Sequence, residues 1–242
     1  MDDEKRIIPR NSRIVIAADV PSFDDLTALA KATKGIEGVG GFVINYLLAA
    51  QDLGAATGII RHYVGATIPI ILDLPMGPST PAMIKALVKG LGRAKIAAVI
   101  LYPFLGSDVQ KEWIEVCFAS GLQVIAGGMM GNEKFLASKG GYVSEESINW
   151  MYVNASRWGV RHFVVPGNKT GWVAQIRAKL TKELGEDGFV LFTRDGDIDE
   201  CSRMAGNNWH AIVGPTICTR SSWAEMRQAV IDLAGQIIAV PA

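Results

Sequence analysis

Apolar and polar positions along the chain fall into one repeating order. A short run rich in β-branched residues is followed by a longer segment whose apolar residues recur at helical spacing. The strand-like runs cover residues 13–18, 41–44, 68–72, 97–101, 123–126, 162–165, 189–192 and 211–213. Several are apolar at successive positions, as in Ile14-Val15-Ile16-Ala17-Ala18. That is the pattern of a parallel strand buried on both faces. Among the helical segments, 24–34 opens with acidic residues that suit the positive end of the helix dipole. Segment 47–64 is long, and a break is expected near Gly54 or Gly58. Ser79-Thr80-Pro81 reads as a cap followed by proline in the first turn, opening a helix that runs to Leu91. The others are 108–119, a helix opened by Ser144-Glu145-Glu146-Ser147 that runs to Trp158, then 170–184, 199–205 and 221–240.

Parallel strands joined by helices follow βαβ logic. Eight such units over 242 residues predict an α/β protein with a single (β/α)8 TIM barrel domain spanning residues 1–242. The rival is a doubly wound sheet, which has fewer strands and a glycine-rich loop after the first. Here the first strand leads into Asp19-Val20-Pro21-Ser22, with no glycine.

Composition narrows the partners. The chain is 49% hydrophobic and 20% charged, which excludes disorder as its overall state. Lys plus Arg and Asp plus Glu number 24 each, so there is no basic excess for phosphate backbones, and no nucleic-acid partner is expected. The segment Met1–Arg6 is charged and lacks the apolar core of a signal peptide. No apolar run reaches the roughly 18 residues of a membrane span, so no membrane partner is expected. Cys117, Cys201 and Cys218 are far apart, with no zinc-ligand spacing. A cytoplasmic protein without disulfide, metal or cofactor is the expectation.

In a barrel of this kind, function gathers at the C-terminal strand ends. Reading those ends in order gives Asp19, Asn45, Asp73, Tyr102, Met129 with Met130, Asn168 with Lys169, Thr193 through Asp197, and Thr216. Each one alone reads equally as a loop residue or helix cap. Asp19 and Asp73 are the exception of interest, since two carboxylates on parallel strands could share a proton or bind a hydroxylated substrate. The Asp195-Gly196-Asp197-Ile198-Asp199 run lacks the full calcium-loop pattern. Capping of the next helix by Asp197 or Asp199 is the better reading. The long segment from Met129 to Tyr142 has the length of a lid. His62, His162 and His210 read as structural, the last two at the wrong barrel end for chemistry, and no basic partner is evident to activate Cys218.

Three segments carry a family resemblance: Ile14-Val15-Ile16-Ala17-Ala18-Asp19-Val20, Ile70-Ile71-Leu72-Asp73-Leu74 and Ile212-Val213-Gly214-Pro215-Thr216-Ile217. In order and spacing they resemble the orotidine 5'-phosphate decarboxylase superfamily, which also holds hexulose-phosphate synthases and keto-gulonate-phosphate decarboxylases. The resemblance implies a (β/α)8 barrel, a homodimer with active sites near the interface, and a phosphorylated sugar or nucleotide as substrate. Asp19 and Asp73 match the family's acidic positions. Val43 stands where the family has a lysine on the second strand, and Pro75 and Pro78 replace the lysine and second aspartate of Asp-x-Lys-x-x-Asp. Pro215 takes the place of the phosphate-binding arginine. Arg194 or Arg220 could supply that charge from a shifted position.

The functional expectation is a divergent carbon–carbon lyase, decarboxylase-like, acting on a nucleotide or sugar-phosphate-like small molecule. Asp19 and Asp73 are the catalytic candidates. Asn45, Tyr102, Met130, Lys169, Thr193, Arg194, Gly214, Thr216 and Arg220 are the substrate-site candidates. Two alternatives stand beside it. One is a non-catalytic binding or assembly relative. The other is an aldolase or isomerase, with Lys169 able to form a Schiff base if desolvated.

Overall fold

A computed structural model describes residues 6–239; the leader reading at Met1–Lys5 and the end of the last helix at Val240 lie outside them. Eight parallel strands close into a barrel in sequence order. They are β1 (Ile14–Ala18), β2 (Val39–Ile44), β3 (Ile70–Leu74), β4 (Ala98–Leu101), β5 (Gln123–Ala126), β6 (His162–Pro166), β7 (Val190–Arg194) and β8 (Trp209–Val213). Between them run α1 (Phe23–Thr33), α2 (Tyr46–Tyr63), α3 (Pro81–Arg93), α4 (Ser107–Ala119), α5 (Glu145–Arg157), α6 (Thr170–Leu184) and α7 (Ile198–Ala205). A four-residue helix, α8 (Pro215–Cys218), and α9 (Trp223–Ala239) close the chain. The (β/α)8 expectation holds. Among the described residues, no helix is long and apolar enough to cross a membrane.

The unbroken apolar runs have a geometric cause. Successive strand side chains point to opposite faces, and both faces are covered here. Val15, Ala17, Val43, Ile71, Ala98, Ile100, Ile125, Val164, Phe192 and Ile212 fill the barrel. Ile14, Ile16, Ile44, Leu72, Val99 and Leu191 pack outward under the helices. The strands differ from the sequence-based expectation mainly at their ends. β3 continues through Asp73 and Leu74, and β7 through Arg194, so polar residues expected in loops stand on strands.

Local capping explains the helix boundaries. Ser22, Asn45, Ser144 and Asp197 each accept a hydrogen bond from the backbone N–H three residues on. Thr80 makes no such bond, and Pro81 alone opens α3. The expected break in α2 falls at Asp52 rather than at a glycine. Asp52 leaves helical geometry (φ −167°, ψ 103°), and its carboxylate accepts from Ala55 N at 2.9 Å, acting as a second cap inside the helix.

The floor of the barrel is plugged by the segment before β1. Ile7 and Ile8 are buried in the interior cluster. A Cβ on Gly40 would fall 2.6 Å from the backbone oxygen of Ser12, so a glycine there lets the segment before β1 lie close against β2. Ile7 N donates to His162 Nε2 at 3.4 Å, and the Arg6 guanidinium meets His210 Nε2 at 3.1 Å. Both histidines are buried and stay neutral. Burial, helped by the Arg6 charge, pushes His162 down to about 3 and His210 well below the ordinary histidine range.

This floor sets a pH dependence. A histidine whose folded pKa lies below its unfolded value of about 6.5 leaves the unfolded chain with more bound protons at acid pH. Stability is complete above pH 6.5 and falls as pH drops toward the folded value, by up to about 1.4 kcal/mol per pH unit for each histidine. Urea titrations at pH 7 and pH 5 measure the loss. His162→Gln, which can still accept from Ile7 N, reduces the slope.

Candidate active site

The inward faces of the strands continue past the apolar core by the same two-residue step. After Val15 and Ala17 comes Asp19. After Ile71 comes Asp73, after Ala98 and Ile100 comes Tyr102, and after Val190 and Phe192 comes Arg194. Four polar side chains from four strands are thereby aimed at the barrel mouth. β7 and β3 are four strands apart in the closed sheet, so Arg194 and Asp73 approach from opposite walls.

Arg194 joins the carboxylates. Its Nη1 donates to Asp73 Oδ2 in a close ion pair, and its Nη2 lies 3.3 Å from Asp19 Oδ1. Asp73 is 9% exposed, and its other oxygen, Oδ1, is buried without a hydrogen-bond partner. Burial raises the Asp73 pKa; Arg194 pulls it down, Asp19 pushes it up, and it remains above the usual aspartate range. Burial also opposes the Arg194 charge, but Asp73 and Asp19 outweigh it and hold the guanidinium protonated. Tyr102 stays protonated as a donor, because burial and the Asp73 charge both resist its ionisation.

Asp73, Tyr102 and Arg194 border a cavity of 340 Å³, and Asp19 stands outside its wall. Its walls are Asp73, Tyr102, Arg194, Asp195 and Asn168, with Pro75, Met129, Met130, Val164 and Pro166 on the apolar side. Glycines seat the polar groups. A Cβ on Gly127 would come within 2.5 Å of the Tyr102 ring, and one on Gly214 within 2.6 Å of Asp19 Oδ2. The loop carrying Pro75 is held from outside, where Trp113 Nε1 donates to Pro78 O at 3.0 Å. Met129 N donates to Tyr152 Oη at 3.2 Å, and the Tyr152 hydroxyl donates to Val164 O at 2.7 Å, which ties the β5 exit to β6.

The remaining candidates from the sequence lie around this centre in different ways. Asn45 works on the backbone, accepting from Leu48 N and donating to Ala18 O next to Asp19. Thr193 points outward and accepts from Trp209 Nε1 at 2.8 Å. Lys169 precedes α6 and is not among the residues that wall the cavity. Thr216 and Arg220 are exposed on and after α8, with Arg220 Nε donating to Thr216 O at 3.1 Å. The segment between β5 and α5 carries two 3-10 turns and contributes Met130 and Gly131 to the cavity, where Asn168 Nδ2 donates to Gly131 O at 3.2 Å. The Cys218 thiol donates to Ala17 O, and burial pushes its pKa up to about 11.

This barrel has close structural counterparts. An orotidine 5'-phosphate decarboxylase from Pyrococcus horikoshii OT3 superposes with a TM-score of 0.72 at 18% identity, over 94% of this chain and 100% of that one. The orotidine 5'-monophosphate decarboxylase of Methanocaldococcus jannaschii, complexed with the inhibitor BMP, gives 0.77 at 16% identity, over 93% and 98%. The fold is that of the orotidine 5'-phosphate decarboxylases. An uncharacterized conserved protein from Geobacillus kaustophilus gives 0.68 at 15% identity, over 91% and 99%. No protein-family model matches the chain, and no curated protein matches it by sequence. The structural likeness therefore concerns architecture, and the side chains at the mouth must carry any statement about chemistry.

Sequence reading did not single out Gly127 or Trp113, and it took Asp195 only as one residue of the strand end from Thr193 to Asp197. The two-step count from Phe192 separates two neighbours: Arg194 points inward and Asp195 begins the loop. Removing Arg194 leaves Asp73 buried without its cation. Arg194→Met is expected to destabilise the fold by about 3–5 kcal/mol at neutral pH. The loss shrinks as pH falls, because the stranded Asp73, raised above its unfolded pKa, is protonated first in the folded state. Denaturant unfolding of both proteins at pH 8 and pH 5 tests this.

Proposed function

We propose that this chain is a carbon–carbon lyase that cleaves a small hydroxylated carbonyl compound by proton transfer at the barrel mouth. The observation that carries this reading is Asp73, a buried carboxyl with one oxygen on Arg194 and the other unpartnered, at the wall of a 340 Å³ cavity. A raised carboxyl pKa brings proton exchange closer to neutral pH, which is what a general base needs. Ionised Asp73 takes the proton of a substrate hydroxyl. The carbon–carbon bond beside it breaks, leaving an aldehyde, and the electron pair moves onto the neighbouring carbonyl as an enolate. The Tyr102 hydroxyl and an Arg194 N–H are the donors available for the enolate oxygen. Asp73 then returns its proton to the enolate carbon.

The decarboxylase form of the lyase has less support. Pro75 and Val43 hold no proton where the resembling family has lysines, and a general acid must be within hydrogen-bond reach of the reacting carbon. Lys169 stands outside the cavity wall, so a Schiff-base route lacks a nucleophile there. A non-catalytic binding protein is the second reading. It draws on the Arg194 brace itself, which satisfies both aspartates without any ligand.

The homodimer of the resembling family draws support from one rim of the barrel. Tyr46, Leu47, Met76, Met83, Phe104 and Leu105 are exposed in the consecutive units after β2, β3 and β4. Large exposed apolar patches mark interaction surfaces. Sedimentation analysis is expected to show a dimer in the wild type and a shift toward monomer in Met76→Lys/Leu105→Lys; a monomeric wild type overturns this part.

Screening hydroxy-ketones and hydroxy-aldehydes for aldehyde release tests the activity. Wild-type protein is expected to form no UMP from orotidine monophosphate. Asp73→Asn lowers retro-aldol turnover by about 10²–10⁴-fold. Turnover also falls as pH drops through the raised Asp73 pKa, beginning above the range of an ordinary aspartate, with Asp19, Asp195, Arg194 and Tyr102 as the charged and titratable neighbours. An Asp73→Asn enzyme with wild-type turnover rules the reading out.

A further inference from the structure

The floor of the barrel carries a second buried polar layer, which the chemistry at the mouth does not use. His162 and His210 stand on the inner faces of β6 and β8, two residues before Val164 and Ile212, and both are buried. Phe192 lies between the two rings, its centroid 6.3 Å from that of His162 and 5.2 Å from that of His210. Against this layer sits the segment 6–12. It lies outside the eight strands, and the barrel closes from β1 to β8 without it. The Ile7 and Ile8 side chains are buried in the barrel interior, while Arg6, Ile7, Pro9 and Arg10 also border a cavity of 600 Å³.

The chemistry of the partners fixes the proton on each ring. A backbone N–H and a guanidinium can only donate. Ile7 N donates to His162 Nε2 at 3.4 Å, and Arg6 Nη2 meets His210 Nε2 at 3.1 Å. Both Nε2 atoms are therefore acceptors, and each neutral ring holds its proton on Nδ1. Among the described residues, His210 Nδ1 is buried with no hydrogen-bond partner. A second proton has to enter at Nε2. It turns each acceptor into a donor that faces a donor, and it sets an imidazolium against the Arg6 charge. Among the other groups around the rings, Arg13 and His162 oppose a charge on His210, and the Ser12 backbone favours one. Arg161, beside His162, is turned onto Ser156 O and Val160 O. Asp187 is linked to Arg6 through Asn208, which accepts from Arg6 Nη1 at 3.2 Å and donates to Asp187 Oδ1 at 3.4 Å.

We propose that the segment before β1 is an acid-released plug: proton uptake by His162 and His210 at Nε2 frees residues 6–12 from the floor while the eight-stranded barrel stays closed. The device is independent of the reaction assigned to the mouth. The plugged state excludes the second proton by geometry, and the released state accepts it at the ordinary histidine pKa of about 6.5. Release is thus held off above about pH 6.5 and favoured as pH falls below it. Between pH 7 and pH 5 the linkage favours release by up to about 25-fold for one histidine and about 600-fold for both. The segment leaves before the barrel opens, because protonation breaks the bonds that tie it to the floor, whereas strand backbones are bonded to neighbouring strands.

Two measurements on the full chain test this. Imidazole nitrogen NMR at pH 7 is expected to show His162 and His210 with the proton on Nδ1. Native-state amide exchange, corrected for its intrinsic pH dependence, is expected to show Ile7 losing protection by up to about 600-fold from pH 7 to pH 5. That loss is insensitive to low urea, since local opening exposes little surface, and Val15 and Ile212 on the strands stay far better protected than Ile7. His162→Gln/His210→Gln keeps acceptors for Ile7 N and Arg6 but removes the titration, so its Ile7 protection is expected to be equal at the two pH values. His162→Gln alone keeps a loss of about 25-fold, from His210. The proposal is overturned by a proton on Nε2 of either ring at pH 7, by Ile7 protection that does not change with pH, or by Ile7 exchange with the urea dependence of the strand amides. A double variant with the wild-type loss overturns it as well. Should that variant fail to fold, the tautomers and the urea dependence of the wild type decide the matter.

Discussion

The mouth of the barrel depends on one guanidinium. Directly below it lies an apolar layer, and strands cannot end there without exposing that layer or capping it with polar groups. Arg194 does the capping by reaching from β7 to Asp73 on β3 and to Asp19 just past β1. Burying a charge costs several kcal/mol unless it is paired, so Asp73 and Arg194 each stabilise the other's burial. The pairing leaves one carboxylate oxygen, Asp73 Oδ1, buried without a donor.

Positions without side chains are as necessary as the charges. Gly127 leaves room for the Tyr102 ring, Gly214 for the Asp19 carboxylate, and Gly167 for the Asp195 backbone. Each sits at or just past a strand end, where a Cβ would strike the neighbouring unit. Outside the barrel, Trp113 and Tyr152 hold the β3 and β5 exits from the helix side. The site is therefore positioned by strands and buried aromatics rather than by free loops, the arrangement that keeps reacting groups in place.

The comparison with orotidine 5'-phosphate decarboxylases separates architecture from chemistry. The barrels superpose over nearly their whole length at 13–18% identity. A barrel core accepts many apolar sequences of the right volume, so such divergence leaves the fold intact. The mouth is less forgiving. Pro75 holds no proton to give, and Pro215 offers neither a charge nor a backbone donor. What remains is an acidic, hydrogen-bonding mouth around a compact cavity.

The fold was legible along the chain because its cause is local. Strand and helix periods and capping residues act within a few positions, and eight repetitions of them leave little architectural choice. The site was legible only in part. Asp19, Asp73, Tyr102 and Arg194 all stood out as polar residues ending apolar runs, and counting by two along each strand points them inward. Thr193 also ended such a run, and one step of register turns it outward to Trp209. The bond from Arg194 to Asp73 joins residues 121 positions apart. Asp195 lines the cavity from a turn packed against Gly167, a contact between residues far apart in sequence. Contacts of that kind arise from barrel closure, which brings opposite strands within reach of a single side chain, and so they belong to the folded molecule rather than to any stretch of its sequence.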